Sequence, residues 1–145
     1  MPENDLLIIG FGNPLRGDDG LGWRAAERLS AADRPGRRVI TCQQLTPDLA
    51  EPLSQTGRVV FIDAAVDGEP GQIKIHSLTP APPEPGAFSH QLTPAGLLSL
   101  AALWYGGAPQ AELITVAGAQ FAFSESLSPA VDAAVENVVR WVQSL

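Results

Sequence analysis

Two adjacent carboxylates, Asp18 and Asp19, follow an apolar run and a glycine-containing turn in LLIIGFGNPLRGDDGLG at residues 6–22. The unbroken apolar run is typical of a strand that is buried on both faces of a parallel sheet. The glycines after it allow the backbone to turn closely. Because carboxylates repel a phosphate, this turn suits a cation or a polar group better than a nucleotide.

The spacing of the glycines also argues against a dinucleotide site. Gly10 and Gly12 could begin the pattern GxGxxG, but Leu15 stands where its third glycine is required. The next predicted strand, VITCQQ at 39–44, ends without the acidic residue that would bind the ribose hydroxyls. A nucleotide-binding module therefore remains only a weak alternative.

Another carboxylate, Asp63, ends the apolar segment RVVFIDAAV at 58–66. A charge at the end of a buried strand is costly unless it is paired or contacts a ligand. Ligands of open α/β sheets bind beyond the carboxyl ends of the strands, near the point where the strand order reverses. A strand order of 2-1-3 would place Asp19 and Asp63 side by side, which predicts a site at this edge.

The segment GFGNPLRGDDGLG resembles the opening signature of the NiFe-hydrogenase maturation endopeptidases. These proteins remove a C-terminal extension from the hydrogenase large subunit after nickel has been inserted. The resemblance implies three metal-contacting side chains: Asp19 after the first strand, Asp63 at the end of a later strand, and His90 in AFSHQL before a helix. SLSPAV at 126–131 also resembles the family's C-terminal pattern, so the similarity spans nearly the whole chain.

The resemblance implies an endopeptidase that acts on a NiFe-hydrogenase large-subunit precursor and uses Asp19, Asp63 and His90 as catalytic and metal-contacting residues. Nickel is expected to arrive with the precursor, and other divalent metals are expected to substitute in vitro. The sequence lacks HExxH, and no Ser or Cys lies in a protease motif. Two roles of the metal stay open: it polarises the scissile carbonyl, or it activates a water with an aspartate as base. The alternative function is a non-enzymatic nickel-binding hydrogenase accessory protein.

One segment departs from the pattern of this family. Many members have an Asp-Gly-Gly-Thr-like turn after the second strand, whereas this chain has CQQLTP at 42–47. The segment is similar to the version in maturases of bidirectional or NAD-coupled hydrogenases. It would then indicate which hydrogenase is processed.

Other residues with reactive side chains are predicted to be structural. Asp18 is expected to cap the first helix, and His76 is expected on an exposed edge strand. Cys42 is expected to be a small residue in the core. The tryptophans lie in helical patterns and are expected to be packing residues: Trp23, Trp104 and Trp141.

The order of the predicted elements indicates an α/β three-layer sandwich in a single domain, residues 1–145. Its twisted sheet of about five strands is mainly parallel with one antiparallel edge strand, and helices cover both faces. Strands are predicted at about 6–10, 39–44, 58–66, 73–76 and 112–119, and helices at about 20–32, 47–53 and 93–105, with a last helix beginning at Ser128 and Pro129. The proline-rich segment 77–88 is expected to be an irregular loop, either a cover over the bound precursor tail or a plain connector.

The composition limits the partners. The 145 residues carry a net charge of −7, which disfavours nucleic acid. The apolar runs are shorter than the roughly 20 residues of a membrane span, and the acidic start does not resemble a signal peptide. The single cysteine fits a reducing compartment. We therefore expect a cytoplasmic monomer whose partner is the hydrogenase precursor, without nucleic acid or membrane.

Overall fold

A five-stranded sheet forms the centre of the structure, a computed structural model that describes residues 5–32, 34–82 and 92–145. The sheet has the order β2-β1-β3-β5-β4 and is parallel except for β4, which pairs antiparallel with β5 at one edge. The strands are β1 Leu6–Phe11, β2 Arg37–Cys42, β3 Arg58–Ala65, β4 Ile73–Leu78 and β5 Gln110–Ala117. The helices are α1 Leu21–Ala31, α2 Ala50–Ser54, α3 Pro94–Tyr105 and α4 Pro129–Gln143, with short 3-10 helices at Gly17–Gly20 and Pro47–Leu49.

Each face of the sheet is covered by its own apolar layer. Leu7 and Ile9 pack with α2 and α3, whereas Ile8, between them in the sequence, packs with α1 and α4. Side chains of a strand alternate between the two faces, so a strand covered on both sides needs a continuous apolar run. The α/β three-layer fold predicted from the sequence is therefore confirmed.

Two glycines allow α1 to lie directly against the sheet. A Cβ atom at Gly22, in the first turn of α1, would lie 2.2 Å from the carbonyl oxygen of Ile62 in β3. A Cβ atom at Gly10 in β1 would lie 2.1 Å from the carbonyl oxygen of Gly22. This close approach determines where the turn between β1 and α1 sits above the edge of the sheet.

Several predicted boundaries differ from the structure. The predicted strand 39–44 ends at Cys42, because Cys42 pairs with Phe11, the last residue of β1, and no β1 residue remains for its successors. The predicted strand 112–119 is β5, which ends at Ala117, opposite the last residue of β3. Residues 77–78 belong to β4 rather than to the irregular loop, and residues 83–88 of that loop lie outside the described residues.

The prediction that Trp104 is a packing residue is wrong, since 51% of it is exposed. It lies in the last turn of α3, where Leu103 and Tyr105 are also exposed. The sequence of α3, PAGLLSLAALWY, has no charged residue, so its pattern does not distinguish an inner from an outer face. Within the described part of the chain, no helix has the length and apolar character that crossing a membrane requires.

We predict that Gly22→Ala destabilises the protein by about 1 to 3 kcal/mol, because the new methyl group would collide with the backbone of β3. In an open helix the same change would stabilise by about 0.5 to 1 kcal/mol. Gly107→Ala is the matched control, because a Cβ atom there would have no neighbour within 4 Å. Urea unfolding followed by circular dichroism measures both changes, and a Gly22→Ala protein as stable as the control would contradict the packing described here.

Candidate active site

Asp19 and Asp63 line the same small cleft at the carboxyl edge of the sheet. The order β2-β1-β3 places the turn after β1 beside the end of β3, as the sequence predicts. The cleft has a volume of about 150 Å³ and is lined by Phe11, Gly12, Asp19, Gln43, Gln44, Asp63, Ala64 and Leu92. Two carboxylates and two amide side chains give it an oxygen-rich surface.

The turn between β1 and α1 holds the side chain of Asp19. The backbone amide of Asn13 donates a hydrogen bond of 2.8 Å to Oδ2 of Asp19. The side chain of Asn13 in turn accepts a bond of 2.9 Å from the amide of Leu15. Gly12 has a φ of 139°, and a Cβ atom there would lie 2.0 Å from the carbonyl oxygen of Asp19. The turn therefore closes on itself, and Asp19 enters the cleft with one carboxylate oxygen already oriented.

The carboxyl group of Asp63 lies in an environment that opposes its ionisation. The pKa of Asp63 is raised from its usual 3.8 to about 7, mainly by burial and also by the negative charge of Asp19, against the lowering effect of the Ala64 amide. That amide donates a bond of 2.9 Å to Oδ1 of Asp63. A cation between the two carboxylates would remove their repulsion and favour the ionised form of Asp63. In charge and donor type, both residues fit a divalent metal ion.

The third predicted ligand, His90, lies outside the described residues. Among residues 5–32, 34–82 and 92–145, no group of three or more His, Cys, Asp or Glu side chains is placed to hold a metal ion. Leu92, which follows His90 by two positions in the sequence, lines the cleft. The described residues thus bring together two of the three predicted ligands, and the role of His90 stays a prediction.

Asp18 does not line this cleft and is fully buried. Its carboxylate accepts four hydrogen bonds from the segment after β5: 2.7 Å from the amide of Ala119, 3.0 Å from that of Gln120, and 2.7 and 2.8 Å from the amide and hydroxyl of Ser128. Burial alone would raise the pKa of Asp18, but these bonds together hold it below 3.8. Asp18 is therefore structural, as predicted.

The helix-capping role predicted for Asp18 is nevertheless wrong, whereas Ser128 is the N-cap residue of α4 and Pro129 begins the helix, as predicted. The donors to Asp18 belong to the segment after β5, not to α1. Ser128 stands at the N-terminus of α4, but its side chain makes no capping hydrogen bond there. Its hydroxyl donates to Asp18 instead. Both side chains join two segments that are distant in the sequence.

Three further residues clarify what the site contains. Gln43 and Gln44 line the cleft because β2 ends beside the turn after β1. In the sequence they are notable only as a departure from the pattern of the maturation endopeptidases. The preceding Cys42 is half-buried, and burial together with the charge of Asp48 raises the pKa of its thiol to about 11. At neutral pH the thiol is therefore protonated and a poor nucleophile.

His76 is exposed on β4, as predicted, and does not line the cleft.

The fold is that of peptidases that mature hydrogenases. A hydrogenase 2 maturation peptidase from Thaumarchaeota archaeon SCGC_AB-539-E09 is 28% identical, with a TM-score of 0.73 over 97% of each chain. The NiFe hydrogenase maturation protease HycI from Thermococcus kodakarensis KOD1 is 25% identical, with a TM-score of 0.78 over 97% of this chain and 91% of that one. The hydrogenase maturating endopeptidase HybD from E. coli is 23% identical, with a TM-score of 0.77 over 97% and 90%.

No family model matches the sequence, and no curated protein matches it either. The likeness to the solved maturation peptidases nonetheless covers 97% of the chain. The resemblance to hydrogenase maturation endopeptidases that the sequence motifs predicted is thereby confirmed.

We predict that Asp18→Asn and Asp63→Asn change stability in opposite directions. Asp18→Asn turns an amide N–H towards buried donors and should lower the free energy of unfolding by about 2 to 3 kcal/mol. Asp63→Asn removes a carboxylate that is unfavourable when ionised, and should gain about 1 to 3 kcal/mol at about pH 8, allowing for its partial exposure.

The pH dependence separates the two effects. The raised pKa of Asp63 means that the wild type loses stability as the pH rises from about 4 to about 7, so the gain in Asp63→Asn is larger at about pH 8 than at about pH 5. Because the pKa of Asp18 is lowered, its contribution to the free energy of unfolding is constant across that range. This contribution is lost only below about pH 3.8. Urea unfolding at both pH values, with exposed Asp67→Asn as control, measures this. A loss of stability in Asp63→Asn at the higher pH would contradict the assignment.

Proposed function

We propose that this protein is an endopeptidase that removes the C-terminal extension of a NiFe-hydrogenase large-subunit precursor after nickel insertion. Nickel held by the precursor is the recognition element. The observation that carries the proposal is the pair of carboxylates, Asp19 and Asp63, in one cleft of a chain with the fold of hydrogenase maturation peptidases. The partner is the precursor, and the cytoplasm is the compartment in which we place the reaction.

The electrostatics of the cleft support recognition of a cation. Burial, and to a smaller extent the charge of Asp19, make Asp63 difficult to ionise, so a positive charge that binds both carboxylates stabilises the cleft most. Two carboxylates, with the imidazole of His90 as the proposed third ligand, leave coordination positions open on a divalent metal. In the proposal those positions belong to the precursor's own ligands, so the metal joins the two proteins.

The chemistry of the cleft suits hydrolysis by a water molecule. A carboxylate can take a proton from the water that attacks the scissile carbonyl and can return it to the leaving amine. The amide of Asn13 keeps the Asp19 carboxylate oriented while the precursor binds. A cysteine mechanism is disfavoured because burial and Asp48 keep the Cys42 thiol protonated at neutral pH.

The decisive assay is processing of the cognate nickel-loaded precursor by site variants. Asp19→Asn, Asp63→Asn and His90→Ala should each lower the rate by at least about 100-fold, because each removes a proposed ligand or proton acceptor. Asp67→Asn and His76→Ala are matched controls of the same residue types outside the cleft, and should process normally. Mass spectrometry follows the shortening of the precursor, and circular dichroism verifies the fold.

Normal processing by Asp19→Asn or Asp63→Asn would remove this cleft from consideration. The same assay separates the accessory-protein alternative. A wild-type protein that binds the nickel-loaded precursor but never shortens it would be a nickel-binding accessory protein.

A further inference from the structure

An exposed apolar and cationic surface lies on the turn that carries Asp19 and on the segment after β5 that pairs with this turn. It consists of Leu15 and Arg16, from the turn that also carries Asp19, and Phe123, from the segment after β5, and is named here the Arg16 rim. Phe123 is 77% exposed and Leu15 is 43% exposed. The guanidinium carbon of Arg16 lies 5.7 Å from the centroid of the Phe123 ring, within the range of a cation–π contact.

Arg16 supplies the only positive side chain of the segments that follow the parallel strands, and the nearby guanidinium of Arg24 in α1 is occupied by a hydrogen bond to the carbonyl of Glu125. The segments that follow the parallel strands, residues 12–20, 43–46, 66–72 and 118–128, contain no other Arg or Lys. The same segments contain several carboxylates, among them Asp67, Glu69 and Glu125. Within the described parts of the chain, Arg16 forms no ion pair and its guanidinium donates no hydrogen bond. No other described residue thus competes for its five N–H donors, which suit an external acceptor.

The rim is held rigidly relative to Asp19. The amide of Gly17 donates a bond of 2.8 Å to the carbonyl of Ser124, and the amide of Ser124 donates one of 2.9 Å to the carbonyl of Leu15. The four hydrogen bonds to Asp18 join the same two segments a few residues further on. The surface is thus preorganised, which lowers the entropy that a partner loses when it binds.

We infer that the Arg16 rim binds an acidic side chain of the hydrogenase precursor, with an apolar neighbour packed on Phe123 and Leu15. This inference rests on the proposed function. A lone arginine among exposed apolar side chains complements a carboxylate beside an apolar group. Arg16 precedes Asp19 by three residues, a span of at most about 10 Å, so the docked side chain lies close to the cleaved bond. The rim would then select the precursor through residues near the cut.

The test measures binding and cleavage of the cognate nickel-loaded precursor separately. Arg16→Gln and Phe123→Ala should each weaken binding about five- to tenfold and raise KM by a similar factor, with kcat within about twofold. In Arg16→Gln most of the loss should be in the association rate, whose dependence on salt should flatten. Arg38→Gln and Leu103→Ala are controls at exposed positions away from the cleft, and Leu103 matches the 77% exposure of Phe123.

A charge exchange identifies the docked group. Arg16→Glu should lose affinity for the normal precursor and regain it for a precursor in which acidic residues near the cut are replaced by lysine. If Arg16→Glu regained affinity only for a precursor whose chain end is altered, the occupant would be the chain end and not an acidic side chain.

If the wild type cleaves and Arg16→Gln behaves like Arg38→Gln, the inference fails and the proposed function stands. If the wild type binds without cleaving, the peptidase proposal fails. The binding constants of the Arg16 and Phe123 variants still test whether the Arg16 rim binds the precursor. A wild type that does neither overturns both.

Discussion

The buried carboxylate of Asp18 is the interaction on which the arrangement of this site depends. It accepts every hydrogen bond offered by two amides and by both donors of Ser128, and so joins the turn after β1 to the segment before α4. A buried charge is tolerated only when its hydrogen-bonding capacity is satisfied in this way. Because Asp19 is the next residue, the bonds that hold Asp18 also determine where the Asp19 side chain enters the cleft.

The aspartates of the site illustrate how environment assigns different roles to one side-chain type. Asp18 accepts four hydrogen bonds, which outweigh the effect of burial and lower its pKa. Asp63 is half-buried with one amide donor and a neighbouring negative charge, and its pKa rises to about 7. The first arrangement stabilises the folded chain, whereas the second costs stability unless a cation binds. Functional sites commonly contain such unfavourable groups, because they are optimised for the bound state.

Local patterns predicted the fold and the location of the site, but not the contacts between distant segments. The apolar runs before Asp19 and Asp63 identified buried parallel strands, and their order placed both carboxylates at one edge. The partners of Asp18 lie 101 to 110 residues away, and no local spacing signals them. The uncharged sequence of α3 could not show that Trp104 is exposed, and Gln43 and Gln44 enter the cleft only because β2 ends where β1 does.

In the proposed function, the cleft of Asp19 and Asp63 recognises nickel held by the precursor. The most direct measurement digests purified nickel-loaded and nickel-free precursor in parallel and follows the products by mass spectrometry. We expect cleavage of the loaded form alone, with no rescue when free nickel is added to the peptidase, because the ion must lie where the precursor's ligands bring the scissile segment into reach. Equal cleavage of both forms would contradict it.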